Sequence, residues 1–140
     1  MGVGVFVGWN KDGKSGEEEV KKNLMMQKVV SAIEETFMDF PFIKQAVRID
    51  ETENTVKYRL VVEEDLFVQV YVNVATDTTG FVLVNKGQRI YGRDAIDGRW
   101  HRHRFENPLS HDFSSEGSKK VSLREFLAEV QEILEREKLL

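Results

Sequence analysis

Six basic side chains and every histidine of the chain crowd into one short stretch. Between residues 86 and 104 stand Lys86, Arg89, Arg93, Arg99, Arg102 and Arg104, against two acids, Asp94 and Asp97. That window carries +4, so the rest of a chain of net charge -4 carries -8. His101 and His103 lie inside the window and His111 just beyond it. If residues 99–105 run extended, Arg99, His101 and His103 share one face with Phe105, while Trp100, Arg102 and Arg104 share the other. Neighbours two apart on one face lie roughly 6.5–7 Å apart at the Cα, close enough for two imidazoles to converge on one small object. Arg89, Tyr91 and Arg93 would line a single face of the preceding strand and, depending on register, join either set.

The chemistry this suggests is phosphate-ester cleavage on RNA. One imidazole accepts the ribose 2′-hydroxyl proton and a second, protonated, supplies one to the leaving oxygen, both near an ordinary pKa of about 6.5. Arginines stabilise charge developing on the phosphate, and Trp100 or Tyr91 would stack an unpaired base. His101 and His103 are then the catalytic candidates. Arg89, Tyr91, Arg93, Arg99, Trp100, Arg102, Arg104 and His111 are the binding candidates. The plainer alternative is that Arg and His populate a solvated edge strand, where charge discourages sheet-to-sheet association. A third reading is a metal site, in which His101 and His103 are joined by His111 or Asp112 from the following loop. The spacing matches no established zinc signature and the neighbouring arginines would oppose a dication, so the expectation is no metal and no cofactor. Asp94 and Asp97 read as turn residues, Asp97-Gly98 being a hairpin signal, and Asn107-Pro108 reads as the end of the last strand.

Composition narrows the classes further. At 140 residues, with 41% hydrophobic and 31% charged side chains, the chain suits one folded domain. Its acidic balance argues against a wholesale polybasic nucleic-acid binder while leaving room for a local basic patch. Lacking cysteine, it can form no disulfide, thiolate zinc site, iron–sulfur cluster or Cys nucleophile. No apolar run approaches the ~20 residues of a membrane helix, and the start lacks the positive n-region of a signal peptide. A cytoplasmic location is the expectation.

The elements that must position these residues are legible from periodicity. Residues 1–15, Gly-rich and aperiodic, read as a flexible tail ahead of a single domain over residues 16–140. Ser15 and Glu18 form a capping-box pattern. From Glu17 to about Met38, Met26, Val29, Val30, Ile33 and Phe37 draw one helical stripe that Pro41 ends. The period then falls to two. Val56, Tyr58, Leu60 and Val62, and then Leu66, Val68, Val70, Val72 and Val74, give one-sided strands. The stretches 43–49, 81–84, 88–93 and 99–105 complete about six, joined by links too short for crossover helices. Ser122 and Glu125 make a second capping box before Leu123, Phe126, Leu127, Val130, Ile133 and Leu134. The expected fold is α+β: an antiparallel β-meander of about six strands packed with an N-terminal and a C-terminal helix, its other sheet face free.

The segments Arg89-Ile-Tyr-Gly-Arg-Asp and Gly98-Arg-Trp-His-Arg-His-Arg-Phe-Glu-Asn-Pro, with Ser110-His111, resemble uncharacterised prokaryotic proteins similar to the TumE-like toxins of toxin–antitoxin systems. The resemblance takes in the strand at 66–74 and the C-terminal helix. It implies a compact cytoplasmic α+β protein, an RNA-cleaving toxin neutralised by an antitoxin-like partner, with His101, His103 and His111 at the family's His-containing segment and Trp100 and Glu106 alongside. The functional expectation is a toxin-like, metal-independent ribonuclease acting on RNA. The alternative is a non-catalytic module whose basic face docks an acidic partner protein or anionic ligand, or pairs with a second copy of the chain.

Overall fold

A computed structural model describes residues 16–140. The expected tail and the capping role of Ser15 lie outside the described residues. Helix α1 (Gly16–Thr36) ends in a 3₁₀ turn, Phe37–Asp39. Seven strands follow: β1 (Gln45–Glu51), β2 (Thr55–Glu63), β3 (Leu66–Asn73), β4 (Thr78–Asn85), β5 (Gln88–Ile96), β6 (Arg99–Arg104) and β7 (Asn107–Asp112). Helix α2 (Leu123–Arg136) closes the chain. The strands pair antiparallel in sequence order, so the fold is the expected α+β meander with one strand more than periodicity suggests.

The extra strand is β7. Its residues, Asn107-Pro-Leu-Ser-His-Asp, show no apolar alternation because it is an edge strand with Leu109 fully in solvent. Pro108 is tolerated there, since an edge strand can spare a backbone donor. Asn107-Pro108 therefore begins a strand instead of ending one.

One core holds the layers together. Val56, Tyr58, Leu60 and Val62 of β2, Leu66, Val68 and Val70 of β3, Phe81 and Leu83 of β4, and Tyr91 of β5 are buried in a single cluster with the helices. Both helices therefore cover the same face. From α2, Phe126, Leu127, Val130, Ile133 and Leu134 are buried, from α1 only Met26 and Ile33. At roughly 1.5–3 kcal/mol for each fully buried apolar side chain, α2 is the principal anchor. Its start is fixed by the expected capping box, with Ser122 Oγ accepting from the Glu125 N–H at 3.1 Å and Glu125 Oε1 accepting from the Ser122 N–H at 2.9 Å. The second half of α1 is tied to the sheet by polar contacts as well. Tyr58 donates its hydroxyl to Glu34, and Arg48 bonds both Glu34 and Tyr58. Among the described residues, no helix covers the other face of the sheet. Alternation places Lys57, Arg59, Phe67, Gln69, Tyr71, Val82 and Val84 on it, with the Arg59 guanidinium 4.1 Å from the centre of the Phe67 ring.

Two features of the hairpins matter downstream. Asp97 and Gly98 both take positive φ, at 52° and 74°, the geometry of a two-residue turn matched to strand twist. This tight reversal fixes the β5–β6 register: Gly92 opposite His103, Asp94 opposite His101, Ile96 opposite Arg99. Near the start of β5 the register slips, with Leu83 opposite Tyr91 but Val84 opposite Arg89. The extra residue in between is a bulge, and a bulge changes which face the preceding side chains serve.

Candidate functional site

The open sheet face ends in a cluster of imidazoles. His101 and His103 point outward from β6, flanked on both sides by β5 and β7, and are only 7% and 4% exposed. Their Nε2 atoms lie 3.1 Å apart. His111 reaches across from the edge strand, completing a triangle whose ring centres are 4.8, 4.9 and 5.0 Å apart, each pair edge to face. One ring nitrogen from each of the three falls within 4.8 Å of the others. The expected shared face of Arg99, His101 and His103 is the arrangement observed, but Phe105, expected with them, turns to the helix side, where it packs against the core with the Arg136 guanidinium 5.8 Å from its ring centre.

Asp94 completes the group. Its Oδ2 lies 3.5 Å from His101 Nε2, 3.3 Å from His103 Nε2 and 3.7 Å from Arg89 Nη1. Sequence reasoning set Asp94 aside as a turn residue, because it stands close to the Asp97-Gly98 reversal. The turn is tight enough to leave Asp94 inside β5, directly opposite His101. Gly92 stands opposite His103: a Cβ there would crowd the Phe81 carbonyl oxygen at 3.1 Å and touch the His103 ring only at an ordinary contact distance, 3.9 Å.

The protonation geometry is partly set by the backbone. His103 Nδ1 lies 2.8 Å from the Pro108 carbonyl oxygen. A carbonyl only accepts, so this nitrogen donates its N–H and the lone pair of neutral His103 is left on Nε2, facing the cluster. Burial pushes the pKa of His101 below its ordinary value, opposed by Asp94 and assisted by His111 and Arg89. Burial likewise lowers His103, opposed by the Pro108 hydrogen bond. Desolvation disfavours the charged imidazolium, so it works toward the neutral rings in both.

The surrounding pocket encloses about 490 Å³ and is lined by Arg89, Asp94, Ile96, Asp97, Arg99, the three histidines and Phe113. Ile96 and Phe113 are 61% and 60% exposed at its rim, and the Phe113 ring centre stands 5.4 Å from that of His101. Asp94, Ile96, Asp97 and Phe113 are the lining residues that sequence reasoning missed. Phe113 sits just past β7, where no periodic signal survives. A signal for Asp94 did exist, in the pairing that the tight Asp97-Gly98 turn imposes.

Other candidates face the opposite way. Arg89, Tyr91 and Arg93 do not share a face, because the β5 bulge separates the first from the other two. Arg89 joins the histidines. Arg93 is fully buried beneath α2, where its Nε and Nη2 donate to Glu129 at 2.8 and 2.7 Å and its Nη1 to the Glu116 carbonyl oxygen at 2.9 Å. Tyr91 stacks on Phe126 and donates its hydroxyl to Glu129 at 3.0 Å. Trp100 packs toward Phe81. Neither ring is therefore presented beside the histidines. Arg102 Nε donates to Asp112 Oδ2 at 2.8 Å, and its Nη2 lies 2.7 Å from the same oxygen. The Ser114 N–H and this guanidinium hold Asp112 well below the usual carboxylate range. Asp112, the carboxylate that sequence reasoning offered as a ligand, is thus committed elsewhere. Arg104 is exposed and lies 3.5 Å from Glu106. Set beside known proteins, the chain matches no family model, no curated protein and no solved structure.

Proposed function

We propose that the histidine pocket cleaves phosphodiester bonds in RNA. The observation that carries this reading is the pairing of His101 and His103 at 3.1 Å inside a pocket that also presents Arg89 and Arg99. His103, with its Nε2 lone pair turned inward, serves as the base for the ribose 2′-hydroxyl. His101 supplies the proton to the departing 5′-oxygen, with the Asp94 carboxylate opposing the burial that favours its neutral form. Attack of the 2′-oxygen on phosphorus breaks the bond to that oxygen and leaves a 2′,3′-cyclic phosphate. Arg89 and Arg99 hold the phosphate oxygens, and Phe113 takes the stacking role expected of Trp100 or Tyr91.

The test is incubation of the purified chain with a labelled single-stranded RNA and with the same strand carrying one 2′-deoxynucleotide at the cleaved position. Cleavage of the first alone, with product lost in H103A, is expected. No product from the unaltered chain, or equal product from H103A, overturns the reading.

A second reading, a binding module without catalysis, draws on the apolar rim of Ile96 and Phe113 around cationic Arg89 and Arg99. Salt-sensitive binding of the uncleaved strand would favour it.

A further inference from the structure

We infer that His101, His103, His111 and Asp94 form a binding site for one late first-row divalent cation of the zinc class. The inference does not rest on RNA cleavage, because it concerns what the four side chains can hold, whatever the pocket acts on.

Donor spacing carries the argument. Imidazole and carboxylate donors bind zinc at about 2.0–2.1 Å, so two donors of a tetrahedral site lie about 3.3 Å apart. His101 Nε2, His103 Nε2 and Asp94 Oδ2 are separated by 3.1, 3.3 and 3.5 Å. They already form one triangular face of such a tetrahedron. An ion bound to all three sits just out of their plane. His111 supplies the fourth donor, its ring nitrogen lying within 4.8 Å of the other two imidazoles. Its exposed side chain on the edge strand has room to close the remaining gap.

The surroundings agree with the spacing. A metal-bound histidine usually donates its other ring N–H to a carbonyl or carboxylate, which fixes its tautomer and aims its lone pair. His103 Nδ1 stands 2.8 Å from the Pro108 carbonyl oxygen in this arrangement. The imidazole-rich donor set suits zinc, copper, nickel or iron and disfavours magnesium and calcium, which take oxygen ligands. The objection from neighbouring arginines weakens once the faces are known. Arg102 is paired with Asp112, and Arg93 with Glu129 beneath the helix. Arg89 and Arg99 remain at the pocket, and Arg89 lies 3.7 Å from the Asp94 oxygen.

The experiment uses the full chain, stripped with a chelator and dialysed, then titrated with Zn²⁺ by calorimetry and with Co²⁺ by visible absorption. One Zn²⁺ per chain and a Co²⁺ absorption band of a four-coordinate, nitrogen-ligated ion are expected. Because His103 is buried and its loss could disturb folding, H111A is the decisive variant, with D94N beside it. Each should weaken Zn²⁺ binding by about tenfold or more while the far-ultraviolet circular dichroism stays that of the parent. Absence of stoichiometric binding, or H111A binding Zn²⁺ as tightly as the parent, overturns the site. RNA cleavage measured in parallel separates the two readings. Zn²⁺ binding without RNA product supports the metal site and removes the nuclease, whereas undiminished cleavage by a chain that binds no Zn²⁺ does the reverse.

Discussion

Arg89 and a bound cation make competing claims on Asp94. The guanidinium lies 3.7 Å from the carboxylate and is about one-third exposed, so the pair is loose. Replacing it, as in R89Q, releases Asp94 for other partners and removes one positive charge from the pocket. Zn²⁺ should then bind more tightly, by up to about fivefold, the scale of a partly exposed ion pair. RNA, which draws on the same guanidinium, should bind more weakly. Calorimetry with each ligand reads both changes, and a shift in the same direction for both would show that Arg89 plays neither part. Single residues of this site differ in how far the sequence discloses them. The shared face of Arg99, His101 and His103 follows from a period of two, which nothing in β6 interrupts. The side served by Arg89 is set by a bulge one residue on, at Ile90, where no glycine or proline betrays it. Asp94 was hidden by its own chemistry, since aspartate close to Gly98 belongs as readily to a turn as to a strand.

At the scale of elements, α2 is held on the sheet by its apolar stripe and by one buried ion pair. Arg93 is fully enclosed and bidentate to Glu129, which also accepts from Tyr91. Burial opposes the charge on Arg93, and the Glu129 carboxylate outweighs it, raising the pKa of the guanidinium. Removing one partner strands the other in a dry site, at a cost near the lower end of 3–5 kcal/mol because Glu129 keeps some solvent contact. E129Q should therefore lower stability by about 3 kcal/mol in urea unfolding. E116Q, altering a mostly exposed carboxylate, should leave the urea midpoint close to that of the parent. Equal effects would mean that the enclosed pair contributes nothing particular. The two helices and strands β1 to β6 were legible because each carries a hydrophobic period, which in β2 to β6 marks a buried face. Strand β7 buries almost nothing, and its pairing to β6 leaves no mark on residue type. The Arg93–Glu129 clamp joins residues 36 apart in sequence, and only the docking of α2 brings them together.

At the scale of the whole molecule, several cations share the sheet face turned away from the two helices. Lys57, Arg59, Arg89 and Arg99 lie on the face opposite α1 and α2, while α1 opens with Glu17, Glu18 and Glu19. At the pocket itself Arg89 and Arg99 stand against Asp94 and Asp97, while Lys57 and Arg59 add positive charge farther along the same face. The same layout makes the pocket depend on a poorly fastened margin. His101 and His103 stand on a strand flanked on both sides, whereas His111 stands on β7, whose pairing with β6 is irregular between Arg102↔Asp112 and Arg104↔Asn107. Whatever bridges the three rings acts as a stitch through that seam, and its binding energy opposes fraying of the edge. Hydrogen exchange should record this directly. The amides of β7 should exchange quickly in the stripped chain and slow by about tenfold for each 1.4 kcal/mol of binding energy gained when Zn²⁺ is added, while those of β2 and β3 keep their rates. If β7 exchanged at one rate with and without the ion, His111 would have no share in holding it. Ligand occupancy and the persistence of the seventh strand are, on this arrangement, a single equilibrium seen from two ends.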